Sequence, residues 1–545
     1  MDNYFVSSCK RVKDWICRQF GQKEKKTVHH KKFADGGEVI VWETGRAGEE
    51  AASYENLFLR KEIAGFRTNI RREQSCSIKS LTRDYLYKQL LSSGEYTFDH
   101  MLVIKDPYGE APLTALALFI LEEPACVRVT TKGNLKETDF VTELPKKKEH
   151  RVPILGMYAE KANDIVIEIL DDEGNCVKSH TFTIRTKRLP KSLRNVITVK
   201  KWTDKPAYSN IMINGGVKIH TCVFDIEGKI RYYLSRKPRG YGIFPLSDGH
   251  FFYMEKYISV PSYSNPQTVE SYDMDYFGRV FRTYLTEKGV HHTAEEKAGG
   301  NILTGSNSML EHTEDCVIEI DRQTGEIVWQ LNMAELFDET YQNMMDWCHV
   351  NSAAYYEKDR TILISLRNVH AVICVDYDTK KLRWILSDPK FWEGTKMTPY
   401  LLQPEGDVKW CYQQHAAFEI ALPDESNPQK KRIIVYDNHW AKRRKAKSFD
   451  KDPLSYVSFY DIDEEKKTVS LHKRFAGPKT RIRANGIYVP DKKRVYNMAG
   501  SYAEPVDGDG GGIFEYDYET GEVLSEFGVK PGFFRAYPFE PNVQE

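Results

Sequence analysis

No apolar run in this chain approaches the roughly 20 residues that a membrane-spanning helix needs. Lys and Arg interrupt the opening "MDNYFVSSCKRVKDWICRQF" before it can supply the roughly 7 to 15 residue apolar core of a signal peptide. A cytoplasmic chain without a transmembrane segment is therefore expected. The ten cysteines are scattered from Cys9 to Cys411 with no CxxC pair and no zinc-finger spacing, as for reduced thiols rather than a disulfide framework. Net charge is missing too: 78 Lys and Arg balance 78 Asp and Glu, so no global field draws the chain to nucleic acid. The nearest thing to a phosphate loop, "GDGGG" at 508–512, precedes a strand instead of opening a helix, and reads as a turn.

What the chain does have is aromatic and strand-forming. Thirty-two Tyr contribute to an aromatic content of 12%, which suits strands and aromatic-lined pockets. At 545 residues a single core has usually stopped growing, so several domains or one closed repeat are expected. Apolar Phe5, Val12, Ile16 and Phe20 recur near helical spacing, and two further short helices are read in "GEEAASYENLFLRKEIAGF" and "SIKSLTRDYLYKQLLSSG", the second ending at Gly94. Residues 1–98 are thus expected to form a helical leader. From Asp99 the pattern becomes short strands with turns about every ten residues, which predicts a small Ig-like β-sandwich over 99–195.

Residues 196–545 repeat. An acidic residue, a short turn and an alternating strand recur as "DIEGKIRYYLS" at 225, "DYFGRVFRTYL" at 275, "DRQTGEIVWQL" at 321, "DYDTKKLRWIL" at 376, "DIDEEKKTVSLHKRF" at 461 and "DYETGEVLSEFG" at 517. Strand-only units at this spacing predict an all-β, six-bladed β-propeller. A second element, a strand hairpin, leads most blades, and three copies begin with His292, His349 and His415. Equivalent blade positions are related by rotation about the axis, so these imidazoles should converge. Three His can bind zinc, but "SLRNVH" sets Arg367 one hairpin after His349. A fixed cation there disfavours a metal and favours an oxyanion held by forked donors. Mutual repulsion should leave at least one imidazole neutral, and a neutral imidazole can be a nucleophile. Cys348 has the same neighbourhood, but adjacent strand residues face opposite sides, so it reads as packing.

"DWCHVNS", followed by "ILISLRNVHAVICVDYDTKKLRWIL", "QQHAAF" and "IIVYDN", closely resembles the bacterial arylsulfate sulfotransferases that work without a nucleotide sulfate donor. "DPYGEAPLTALALF" and "PILGMY" resemble the β-sandwich that precedes their propeller. The resemblance implies transfer of a sulfuryl group from an aryl sulfate to an acceptor phenol by a ping-pong route through a sulfohistidine, with no cofactor and no metal. It implies His292, in "VHHTAEEKAGGNILTG", as nucleophile in preference to His291, and His415 as the acid and base. His349 and Arg367 would hold the sulfuryl oxygens, with Asn351 as a further donor. The partners implied are small molecules, no nucleic acid is expected, and a homodimer is compatible with the reading. The rival readings are a metal-dependent propeller hydrolase or lyase built on the three His, and a non-catalytic propeller that binds partners. Many relatives in this family are periplasmic, whereas an export signal is not read here.

Overall fold

The computed structural model describes residues 28–33, 37–63, 76–203, 205–216, 218–236, 241–258, 267–308, 312–342, 344–422, 427–440 and 452–540. The apolar repeat at Phe5 to Phe20 lies outside them. Within the expected helical leader, helices span Thr44–Ile63 and Cys76–Ser92, and the second is left through Gly94 at φ +71°, a conformation that glycine adopts without strain. The same stretch also supplies two strands, Val28–Lys32 and Glu38–Trp42, to the sheet of the next domain. Glu38–Trp42 runs parallel to His100–Lys105. "EVIVW" has too few residues to show a period, so only its pairing reveals it as a strand.

That seven-stranded sheet is folded about one long strand, Ala115–Thr131, whose first half pairs with His100–Lys105 and whose second half pairs with Ala162–Leu170. Its apolar runs are continuous because both faces are covered. Met101 and Val103 pack in the sandwich core, while Leu102 and Ile104 pack with Leu86, Tyr87 and Leu91 of the second helix and with Tyr253 and Tyr276 of the domain that follows. The two domains therefore share a core. Arg231 pins them together: it is fully buried, donates to the carbonyls of Gly156 and Thr138, pairs with Asp225 at 3.4 Å and lies over the Tyr158 ring.

The remaining strands form five sheets in a propeller-like arrangement. One is seven-stranded because Val280–Glu296 is shared: its first half pairs with Gln267–Met274 and its second with Ile302–Ser306. Among the described residues the count is five by sheet and six by four-stranded antiparallel set. Segments from both ends of the repeat region complete its sheets. Arg535–Pro538 is the innermost strand beside Asn210–Asn214, and Ile197–Lys201 adds an outer strand to Val523–Val529. The repeated acids explain the sequence period. Asp225, Asp275, Asp321, Asp376, Asp463 and Asp517 each accept backbone N–H bonds from the turn that follows, which fixes the outer hairpin of each set. In the fifth repeat the acting acid is Asp463, two residues past the start of the repeat.

Candidate functional site

In three of the sets the inner strand carries a break in its ladder near its start. The register shifts between His291 and Ala294, between Val350 and Ser352, and between His415 and Ala417. His292 (φ 59°), His349 (57°), Ala416 (50°) and Arg483 (67°) occupy the left-handed region there, a conformation that costs about 1–3 kcal/mol at a non-glycine residue and concentrates at functional sites. The shared geometry turns side chains of neighbouring sets toward one point. His292 and His349 stand ring to ring at 4.7 Å, and Tyr241 packs on His292 at 4.3 Å. His415, Arg367 and Arg535 are near enough that their charges act on this cluster.

Burial would push the His349 pKa down, but Asp346 and Glu314 outweigh it and raise it to about 9. Nδ1 of His349 is 2.6 Å from Glu314 Oε2 and 2.9 Å from Asp346 Oδ2, so the ring is a cation at neutral pH, with Nε2 carrying the second proton. His292 is the opposite case. Burial, then the charges of His349 and its other cationic neighbours, holds its pKa well below the usual histidine value. His291 donates from Nε2 to the Ser306 carbonyl at 2.8 Å, which leaves its Nδ1 as an acceptor, 3.2 Å from His292 Nδ1. That contact is satisfied only if His292 is protonated on Nδ1 and presents its lone pair on Nε2. Gly305 permits it: a Cβ there would lie 2.6 Å from the His291 ring.

His415 is also kept neutral, by burial and then by Arg367. Its Nδ1 sits 2.5 Å from Asn438 Oδ1, and the Asn438 amide is oriented in turn by donating from Nδ2 to Thr480 Oγ1 at 2.8 Å and to the Arg483 carbonyl at 3.2 Å. The imidazole therefore carries its proton on Nδ1 and its lone pair on Nε2, which among the described residues meets only the Arg483 backbone N–H, at 3.3 Å. "DWCHVNS" and "SLRNVH" are tied together: Arg367 N donates to the His349 carbonyl, Asn368 N to that of Cys348 and Asn368 Nδ2 to that of Asp346.

His292, His349, His415 and Arg367 thus come together. Asn351 is fully buried beside them: its Nδ2 donates to the Gln414 carbonyl at 2.8 Å, linking two inner strands, and its own carbonyl accepts from Arg535 at 2.7 Å. Cys348 is buried, and burial pushes its thiol pKa well up, which fits packing. Sequence reasoning passed over Glu314, His291, Asn438, Tyr241, Arg483 and Arg535. Only Asn438, in the quoted "IIVYDN", and His291, next to a chosen residue, carried a signal. Among the described residues, two groups could hold a metal ion, His291 with His292 and Glu314, and Glu314 with Asp346 and His349. Neither is the set of three equivalent histidines that the metal reading expected, since His415 belongs to neither.

The electrostatics set a pH dependence. Any step that needs the His349 proton should proceed below pH about 9 and fail as pH rises through that value. Asp346→Asn removes the carboxylate that raises this pKa most, so the alkaline limb of donor kcat/KM should move to lower pH. A limb that stays near 9 in the variant would show that His349 does not set it.

A family model described as Arylsulfotransferase (ASST) matches residues 195–535, and one described as Arylsulfotransferase Ig-like domain matches residues 102–187. The chain is 21% identical over 563 aligned residues to an "Arylsulfate sulfotransferase AssT" of Lelliottia amnigena, and 22% identical over 566 to one of Escherichia coli O6:H1. Each alignment covers 78% of this chain and 90% of the relative. Among solved structures, a protein of unknown function from Bacteroides caccae aligns with a TM-score of 0.39 at 11% identity, over 61% of this chain and 98% of that one. No described helix is long and apolar enough to cross a membrane.

Proposed function

The chain belongs to the arylsulfotransferase family, and from that premise we propose that it transfers the sulfuryl group through a covalent sulfohistidine on His415, with His349 carrying the proton. The observation that carries this reading is the pairing, in one buried cluster, of a neutral His415 of fixed tautomer with a charged His349.

A group that protonates the leaving phenolate and later deprotonates the acceptor must hold a proton in the resting enzyme. His349, at about 9, does so at neutral pH, and its acidity is close to that of a phenol, where proton transfer is efficient. The nucleophile must instead be uncharged and lie beside a fixed cation, because it receives an anionic group. His415 meets both demands, with Arg367 as the cation that acts on it most. In the first half-reaction the His415 Nε2 lone pair forms an N–S bond. The S–O bond to the aryl group breaks, its electron pair goes to the phenolate oxygen, and that oxygen takes the proton from His349 Nε2. The Nδ1–H held by Asn438 steadies the positive ring so formed. The Arg483 N–H, displaced from Nε2, is left beside the sulfuryl oxygens, whose charge Arg367 offsets. An acceptor phenol then returns its proton to His349 and attacks sulfur, and the N–S electron pair goes back to Nε2. His292, anchored by His291 and packed on His349, positions that ring.

These roles differ from those the resemblance implied, where His292 was the nucleophile and His415 the acid and base. A resting His415 held neutral has no proton to spare for a leaving group, which is the physical reason for the exchange. Asn351, implied as a substrate donor, gives one amide N–H to the Gln414 carbonyl and keeps the second for the sulfuryl oxygens. The test is incubation with p-nitrophenyl sulfate, with and without phenol. Acceptor-stimulated nitrophenol release and parallel double-reciprocal lines are expected; intersecting lines would overturn the covalent route.

A further inference from the structure

Arg483 comes from the sixth set, and its surroundings differ from those of the other arginines in the cluster. Arg367 donates to Asn368 Oδ1 at 3.1 Å and Gln413 Oε1 at 3.4 Å; Arg535 donates to the Asn351 carbonyl at 2.7 Å and lies 3.8 Å from Glu295. The Arg483 Nη1 is buried and meets no hydrogen-bond partner among the described residues. Arg483 as a whole is half-buried, but a donor nitrogen buried without an acceptor is costly unless one arrives with a ligand. The chain accepts backbone strain to put it there, with φ +67° at Arg483 followed by +119° at Ala484.

The guanidinium also serves a different point from the reacting imidazoles. The fixed cations acting most strongly on His292 and His415 are His349, Arg367 and Arg535. The Arg483 charge instead acts on Tyr241 and on Lys218, whose Nζ donates to the Pro531 carbonyl at 3.1 Å. So the backbone of Arg483 touches His415, while its charge is felt at Tyr241 and Lys218. Tyr241 is an aromatic wall, 4.3 Å from His292 and 5.5 Å from Phe534 between ring centroids. An aryl group whose sulfur faces His415 would lie along this wall, with its substituents directed to Arg483.

We propose that Arg483, assisted by the charge of Lys218, forms a second anion subsite that recognises a carboxylate carried on the aromatic ring of donor or acceptor. The planar fork of Arg suits a carboxylate, and Lys218 adds a second positive charge. The proposal rests on the reading of the cluster as an aryl sulfotransfer site and deepens it by naming the substrate class.

The test compares 4-carboxyphenyl sulfate with phenyl sulfate as donors in the wild type and in Arg483→Gln, Arg483→Lys and Lys218→Gln. The wild type should prefer the carboxylated donor in kcat/KM, and Arg483→Gln should reduce that preference about ten- to hundredfold, the loss of a charge-assisted bond. Arg483→Lys should restore part of it, and Lys218→Gln should lower it less. Equal losses for both donors, or no wild-type preference, would overturn the subsite. Calorimetric binding of 4-hydroxybenzoate and phenol to the same proteins separates this from the parent reading. Should turnover be absent altogether, tighter benzoate binding that depends on Arg483 would uphold the anion subsite and refute only sulfotransfer, whereas equal binding would refute the subsite.

Discussion

Replacing His415 with alanine is expected to abolish transfer, with a loss of roughly 10⁶ in turnover, as when a covalent nucleophile is removed. No residual route should pass through the other neutral imidazole, because the His292 ring is held between Tyr241 and His349 and Arg367 is not among the charges that act most on it. The decisive measurement is the position of the intermediate. Wild type mixed with an aryl sulfate in the absence of acceptor, quenched in alkali and digested, should carry one added sulfuryl group on the peptide containing "QQHAAF". The group should be missing from His415→Ala and reduced in Asn438→Leu, which frees the imidazole to adopt the wrong tautomer. A sulfuryl group found on the His292 peptide would reverse the assignment and restore the roles implied by resemblance.

The second large effect concerns His349. General acid catalysis contributes about 10² to 10⁴, and more as the leaving group becomes more basic. His349→Gln should therefore slow transfer from phenyl sulfate by roughly that factor and from p-nitrophenyl sulfate much less, since nitrophenolate leaves without a proton. The alkaline limb near pH 9 should vanish in the variant. His349 also links pH to stability. Its folded pKa, about 9, lies above its ordinary value of 6.5, so its contribution is fully present below 6.5 and is lost as pH rises through 9. A thermal-melt series of wild type and variant should show that difference between pH 6 and pH 10. An equal rate loss for all donors would mean that His349 only holds the sulfuryl oxygens.

The mostly-β propeller-like repeat, the Ig-like domain before it and the family were legible in the sequence. Each rests on a pattern that the backbone imposes locally: alternation along a strand, an acid that closes a turn, a residue type recurring at one place in a repeat. Asp376 and Asp517 mark their hairpins whatever surrounds them. The same locality explains how Arg367 was found, one hairpin from His349.

What the cluster does with its protons was decided by tertiary structure. Protonation depends on what lies within a few ångströms, and those neighbours come from distant segments: Glu314 reaches His349 from the end of another set, Asn438 reaches His415 across 23 residues, and the Ser306 carbonyl fixes His291. No spacing rule connects these positions, so sequence could name the histidines but not say which is charged. Asn351 shows the converse, a polar residue beside a site histidine, one of whose amide N–H groups the fold commits to a neighbouring strand. Arg483 had no motif at all; only the meeting of the sixth set with the fifth places its backbone at His415. By itself, then, the sequence determined the repeat, and with it the residues brought to the axis. Charge and tautomer were left to the fold, because burial and hydrogen-bond geometry act through space and not along the chain.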